Sequence, residues 1–65
     1  MIKIDPTLNP LEVILVTDHM KARGREHYSL YPGNGCIWAA SGSASLPINE
    51  YFVFRDGKLV DIQID

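Results

Sequence analysis

Apolar and polar positions follow two rhythms along this chain. From Tyr51 to Asp65 the sequence reads Y-F-V-F-R-D-G-K-L-V-D-I-Q-I-D, two β-rich runs flanking Asp56-Gly57. Asp-Gly between such runs predicts a hairpin with a two-residue type I′ turn, because that turn needs φ > 0 at both central positions. A two-residue turn sets the register. It predicts Arg55 opposite Lys58, Phe54 opposite Leu59, Val53 opposite Val60, Phe52 opposite Asp61 and Tyr51 opposite Ile62. One face then carries Tyr51, Val53, Val60, Ile62 and Ile64. The other carries Phe52, Phe54 and Leu59, followed by Asp61, Gln63 and Asp65.

Pro10 to Arg23 follows a helical rhythm. Asn9 is a capping residue, Pro10 suits the first helical position, and Glu12 stands three residues after the cap. Lys21, Ala22 and Arg23 precede Gly24, a helix stop with basic residues in the last turn. These caps outweigh the strand propensity of Val13-Ile14-Leu15-Val16-Thr17. At 100° per residue the helix has two apolar stripes. Leu8, Leu11, Ile14, Leu15 and Ala22 form one, interrupted by Asp18. Val13, Val16 and Met20 form the other, on the opposite side. One core face needs one stripe, so loops or a partner must cover the second.

Between these elements, His27 to Tyr31 and Cys36 to Ala40 read as two strands around a four-residue turn, Pro32-Gly33-Asn34-Gly35. That loop length places Tyr31 opposite Cys36 and Ser29 opposite Trp38. Tyr28, Leu30, Ile37 and Ala39 share one face; His27, Tyr31, Cys36 and Trp38 share the other. Met1 to Ile4 alternate weakly and form a short edge strand, ended by Asp5-Pro6. The expected fold is α+β: one helix on an antiparallel sheet of about four strands, in the order helix, hairpin, hairpin. A short helix covers one face, expected to be the aliphatic one. The second face then shows Tyr31, Trp38, Phe52, Phe54 and Leu59 to solvent, rimmed by Glu50, Asp61 and Asp65. Exposed aromatic patches with polar rims mark interaction sites. The alternative is a strongly curled sheet that buries these rings in itself.

Composition narrows the function classes. The chain has 65 residues, enough for one small domain, residues 1–65. A domain this short buries only about 60% of its unfolded surface. Its 46% apolar and 22% charged content fits a folded protein. The formal charge of −2 has the wrong sign for a nucleic-acid binder, so no direct nucleic-acid binding is expected. One cysteine, Cys36, excludes an intramolecular disulfide and favours a reducing compartment. No run approaches the roughly 18 apolar residues of a membrane span, and the N-terminus lacks a signal peptide's apolar core. A soluble cytoplasmic protein without membrane attachment is expected.

Candidate chemistry is sparse. Cys36 and His27 are the one nucleophile–base pair to weigh, but the expected register separates them by about 13 Å, beyond hydrogen-bond reach. A buried free cysteine is the better reading. Asp18, His19, His27 and Cys36 lack zinc-ligand spacing. Pro32-Gly33-Asn34-Gly35 lacks the following helix and Lys of a phosphate loop. Lys21, Arg23 and Arg25 suit the helix dipole better than a phosphate. No enzyme, cofactor or metal site is expected. Glu50, Asp56, Asp61 and Asp65 give the closing hairpin an acidic character.

Short length, mild acidity, no disulfide and no catalytic motif together resemble the small inhibitors of phages and mobile elements, anti-CRISPR proteins among them. That group shares no diagnostic motif, so the resemblance transfers no functional residue. It implies blockade of a host defence complex in the host cytoplasm. The expected function is a non-enzymatic protein-binding inhibitor that presents Tyr31, Trp38, Phe52, Phe54 and Leu59, with Glu50, Asp56, Asp61 and Asp65, to a basic protein or nucleoprotein surface. Opposed charges speed such an association and set its register. The alternative is a small structural or homodimeric protein using its aromatic face or second helix stripe for self-association. A nucleic-acid regulator using Lys21, Arg23 and Arg25 stands third.

Overall fold

A computed structural model describes residues 1–64, so Asp65 lies outside the described residues. The fold is α+β. Its elements are β1 (Ile2–Ile4), α1 (Pro10–Ala22), β2 (Tyr28–Pro32), β3 (Cys36–Gly42), β4 (Pro47–Arg55) and β5 (Lys58–Ile64). The sheet has five strands in sequence order. It is mixed, because β1 runs parallel to β2 while the other neighbours are antiparallel. The expected four-stranded antiparallel sheet is therefore corrected by the N-terminal strand. Helix α1 is the crossover that a parallel pair requires.

The helix forms where its caps place it. The Asn9 side chain accepts a hydrogen bond from the Leu11 N–H at 2.9 Å. Arg23 is the C-cap, and its N–H reaches back to the last turn. Val13, Val16 and Met20 form the buried stripe. The larger stripe faces outward, with Leu11 73%, Ile14 53% and Leu15 40% exposed.

The two hairpins correct the expected registers in different ways. In β2–β3 the turn is the two residues Asn34-Gly35, not four. The Gly33 N–H donates to the Cys36 carbonyl at 2.9 Å, and Gly35 takes φ +71. Gly33–Cys36 is thus a hydrogen-bonded pair, and Pro32–Ile37 the alternate pair that exchanges no ladder bonds. The missing N–H of Pro32 costs the β2–β3 ladder nothing there. Tyr31 consequently stands opposite Trp38, not Cys36. The shift is by two residues, so the expected faces survive: Tyr28, Leu30, Ile37 and Ala39 are all buried together.

In β4–β5 the type I′ turn is as expected, with Asp56 at φ 54 and Gly57 at φ 76. Arg55–Lys58 and Phe54–Leu59 also pair as expected. Then a β-bulge intervenes: Val53 pairs with Asp61, which leaves Val60 as the extra residue. Beyond it Phe52 pairs with Ile62 and Tyr51 with Gln63. A one-residue slip exchanges faces. Without the bulge, Asp61 and Gln63 would accompany Phe52. With it, Ile62 does. The helix covers the Phe52 face, contrary to expectation, because β3–β4 pairing sets Phe52 opposite Ile37 and Tyr51 opposite Trp38. Phe52 is fully buried, and Phe54, Leu59 and Ile62 pack against the core. Val60 is 56% exposed.

Among the described residues no helix is long and apolar enough to cross a membrane. Two tests follow from the bulge. Deleting Val60 leaves a regular hairpin with every observed partner intact, so unfolding free energy should change by no more than about 1 kcal/mol. An unbulged register would instead have its faces inverted by that deletion and would unfold. Phe52→Ala should cost about 3–5 kcal/mol by chemical denaturation.

Candidate functional site

The open face of the sheet is built by register. Tyr31 pairs with Trp38, Trp38 with Tyr51 and Tyr51 with Gln63. These four residues form one row across β2, β3, β4 and β5, since directly paired residues share a face. The Tyr31 and Trp38 ring centroids lie 5.6 Å apart with planes at 49°. Trp38 and Tyr51 lie 6.3 Å apart with planes at 17°. Tyr31 is 41% and Trp38 36% exposed; Tyr51 is half-buried. The Trp38 indole N–H donates to Asn49 Oδ1 at 3.2 Å. That bond uses the ring's single donor and fixes its orientation.

Carboxylates flank the row. At the β5 end, Asp61 Oδ1 accepts the Ile62 N–H at 2.9 Å, and Oδ2 accepts Gln63 Nε2 at 3.2 Å. At the other end the Asp5 N–H continues the parallel ladder onto the Leu30 carbonyl, which puts Asp5 level with Tyr31. The Thr7 hydroxyl and N–H both donate to Asp5 Oδ1 and hold its carboxyl below the usual range.

The sequence-predicted site residues separate between two faces. Tyr31, Trp38 and Asp61 lie on the open one. Phe52, Phe54 and Leu59 belong to the covered one, because the β3–β4 register sets Phe52 opposite the buried Ile37 and Leu59 pairs with Phe54. Asp56 sits exposed in the turn. Asp65 is outside the described residues. Glu50 is not a rim residue: it is fully buried and opposite Ala39, whose small side chain leaves it room. Both terminal nitrogens of the Arg23 guanidinium donate to the Glu50 carboxylate, Nη1 to Oε2 at 3.2 Å and Nη2 to Oε1. Arg25 approaches Oε1 at 3.7 Å and donates to Ser41 Oγ at 3.2 Å. Two of the three cations in the Lys21, Arg23, Arg25 cluster therefore serve this buried pairing.

Tyr51 is the row member that sequence reasoning missed, having been placed on an aliphatic core face. Asn49 and Gln63 were missed with it. The Asn34-Gly35 dipeptide was the available signal for setting Tyr31 against Trp38. Nothing comparable marked the bulge.

The catalytic candidates do not assemble. His27 Nδ1 meets the Met1 amino group instead of Cys36, and His19 packs edge-on against Phe52, 5.6 Å between centroids. Among the described residues no three His, Cys, Asp or Glu side chains gather as a metal site would require. Every buried polar side-chain atom among them has a partner.

The Glu50 pairing predicts an asymmetry. Removing both cations by Arg23→Ala with Arg25→Ala strands a buried carboxylate and should cost about 3 kcal/mol or more. Glu50→Leu leaves two arginines that are already 29% and 31% exposed and able to turn to water. It should be close to neutral in the same denaturation assay.

Comparison with protein-family models, curated proteins and solved structures gives no match.

Proposed function

We propose that the protein is a non-enzymatic protein-binding inhibitor, of the kind carried by phages and mobile elements, which engages a host defence complex through the open face of its sheet. The observation that carries this reading is the solvent-facing row of Tyr31, Trp38 and Tyr51. A small sheet that leaves three rings on its uncovered side forgoes their burial, which is worth about 1.5–3 kcal/mol for a ring of this size. Large rigid rings are the side chains most often responsible for binding energy at protein interfaces. Tyr51 takes the anchoring role expected of Phe52, and Asp61 remains as the acidic group beside the anchors. A basic partner surface is the complement of that carboxylate, and an inhibitor occupying such a surface would compete with nucleic acid for it.

The outward helix stripe of Leu11, Ile14 and Leu15 supports a second reading, self-association through α1. The two readings use opposite sides of the molecule and separate cleanly.

For the first, defended host cells expressing the protein should plate a targeted phage with restored efficiency, and Tyr31→Ala with Trp38→Ala should abolish the rescue while leaving the fold intact. Absence of rescue by the folded wild-type protein across defended hosts would contradict the inhibitor reading. For the second, sedimentation equilibrium should show a dimer that Ile14→Glu with Leu15→Glu dissociates and Trp38→Ala does not. A monomer at all accessible concentrations would dismiss it.

A further inference from the structure

Resting on that reading, we propose that the open face recognises a guanidinium group: an arginine side chain of the partner stacks on the Trp38–Tyr51 part of the row and pairs with the Asp61 carboxylate.

Three features of the face converge on this ligand. The first is the state of Trp38. Its N–H is already committed to Asn49, so what the indole still offers is its π face, and a π face attracts cations. Tyr51 stacks beside it at 17°, a second π surface 6.3 Å away. A planar guanidinium stacks on such a surface; a compact, strongly hydrated ammonium does so less well.

The second feature is Asp61. It pairs with Val53, the position two residues beyond Tyr51 on the neighbouring strand. Diagonal neighbours of this kind lie about 7–8 Å apart, within reach of a long side chain resting on the ring. Ile62 and Gln63 each donate one hydrogen bond to it, on different oxygens. An ionised carboxylate has about four lone-pair sites, so each oxygen keeps one free for a two-pronged donor. Its orientation is set before the ligand arrives.

The third feature is where the protein's own cations stand. Arg23 and Arg25 are drawn to the covered face by Glu50. Arg55 is the other diagonal neighbour of Asp61, two residues from Val53 on β4, with Lys58 opposite it, yet neither is in the ion pairs of the described residues, which leaves the Asp61 carboxylate without a cation of its own. Lys3 lies on β1 opposite Ser29, beside the far, Tyr31 end of the row. The charged group beside the Trp38–Tyr51 part of the row is thus the Asp61 carboxylate, which opposes a phosphate chain there and suits a cation.

Trp38 is the chain's single tryptophan and reports on its own site. Titrating the intact protein with a short Gly–Arg repeat peptide should change its fluorescence saturably. A Gly–Lys peptide of the same length and charge should bind about tenfold more weakly, since it loses both stacking and the forked bond. Asp61→Asn should weaken the arginine peptide several-fold and leave Gly–Lys binding less affected. An oligothymidylate should not bind. Equal affinity for the two peptides would overturn the proposal, reducing the site to plain charge attraction. So would tighter binding of the oligothymidylate. If the arginine peptide fails to bind while Tyr31→Ala with Trp38→Ala still abolishes phage rescue, the guanidinium proposal is overturned and the inhibitor reading stands. If neither the peptide nor the rescue is seen, both fall.

Discussion

A single extra residue in the closing hairpin keeps the core side of the sheet apolar out to its last strand. The strands leave the Asp56-Gly57 turn in regular register, and an unbroken ladder would set Asp61 opposite Phe52 and Ile62 opposite Tyr51. Val60 bulges out, and from that point Ile62 stands opposite Phe52. The exchange replaces a carboxylate by a branched apolar side chain on the face that Val13, Val16 and Met20 cover. Burying an unpaired Asp there would cost several kcal/mol, far more than the ladder irregularity of one bulge. The same step puts Gln63 beside Tyr51, extends the aromatic row to β5, and brings Asp61 to its flank. What the last strand adds to the core and what it adds to the candidate site are thus two consequences of one backbone feature. β5 is also an edge strand, where a bulge discourages further strand pairing.

The buried Glu50 is the second constraint, and it joins the two layers. It projects to the covered face from β4 between residues whose neighbours build the open face, Asn49 and Tyr51. Arg23 at the helix C-terminus and Arg25 just after it meet it there. The sheet therefore receives the end of the helix through charge as well as through packing. Removing the acid and removing the bases are physically different operations, because only the acid is fully buried. The pairing also withdraws a carboxylate and two guanidinium groups from the surface chemistry that a linear reading would assign to them.

Much of this architecture was legible in the residues. Asn9-Pro10 and Gly24 bracket the helix within a residue of its observed ends, despite a β-branched middle. Asp56-Gly57 marks its turn and the first two pairs beyond it. The alternation of Tyr28, Leu30, Ile37 and Ala39 identifies buried positions even though the loop between them was read two residues too long, because a shift of two keeps side chains on their faces. What was not legible depended on odd-numbered slips and on partners remote in sequence. The Val60 bulge has no local signature: Leu59-Val60-Asp61-Ile62 alternates plausibly in either register. It is selected by which residues the helix can bury. The parallel pairing of Ile2–Ile4 with β2 is likewise set across the whole helix, beyond the reach of local pattern. Tyr31 and Trp38 lie on the uncovered side as expected, whereas Phe52, Phe54 and Leu59 do not, because the β3–β4 register that sets Phe52 opposite Ile37 joins two hairpins with no local signal, and Glu50 does not because of the unseen arginines.

The most direct measurement is the β4–β5 register in solution by cross-strand nuclear Overhauser contacts. The account predicts contacts from Phe52 to Ile62 and from Tyr51 to Gln63, together with ring contacts between Trp38 and Tyr51. Contacts from Phe52 to Asp61 and from Tyr51 to Ile62 would show an unbulged hairpin, place Asp61 on the helix side and Ile62 in the aromatic row, and contradict both the core and the candidate site described for this chain.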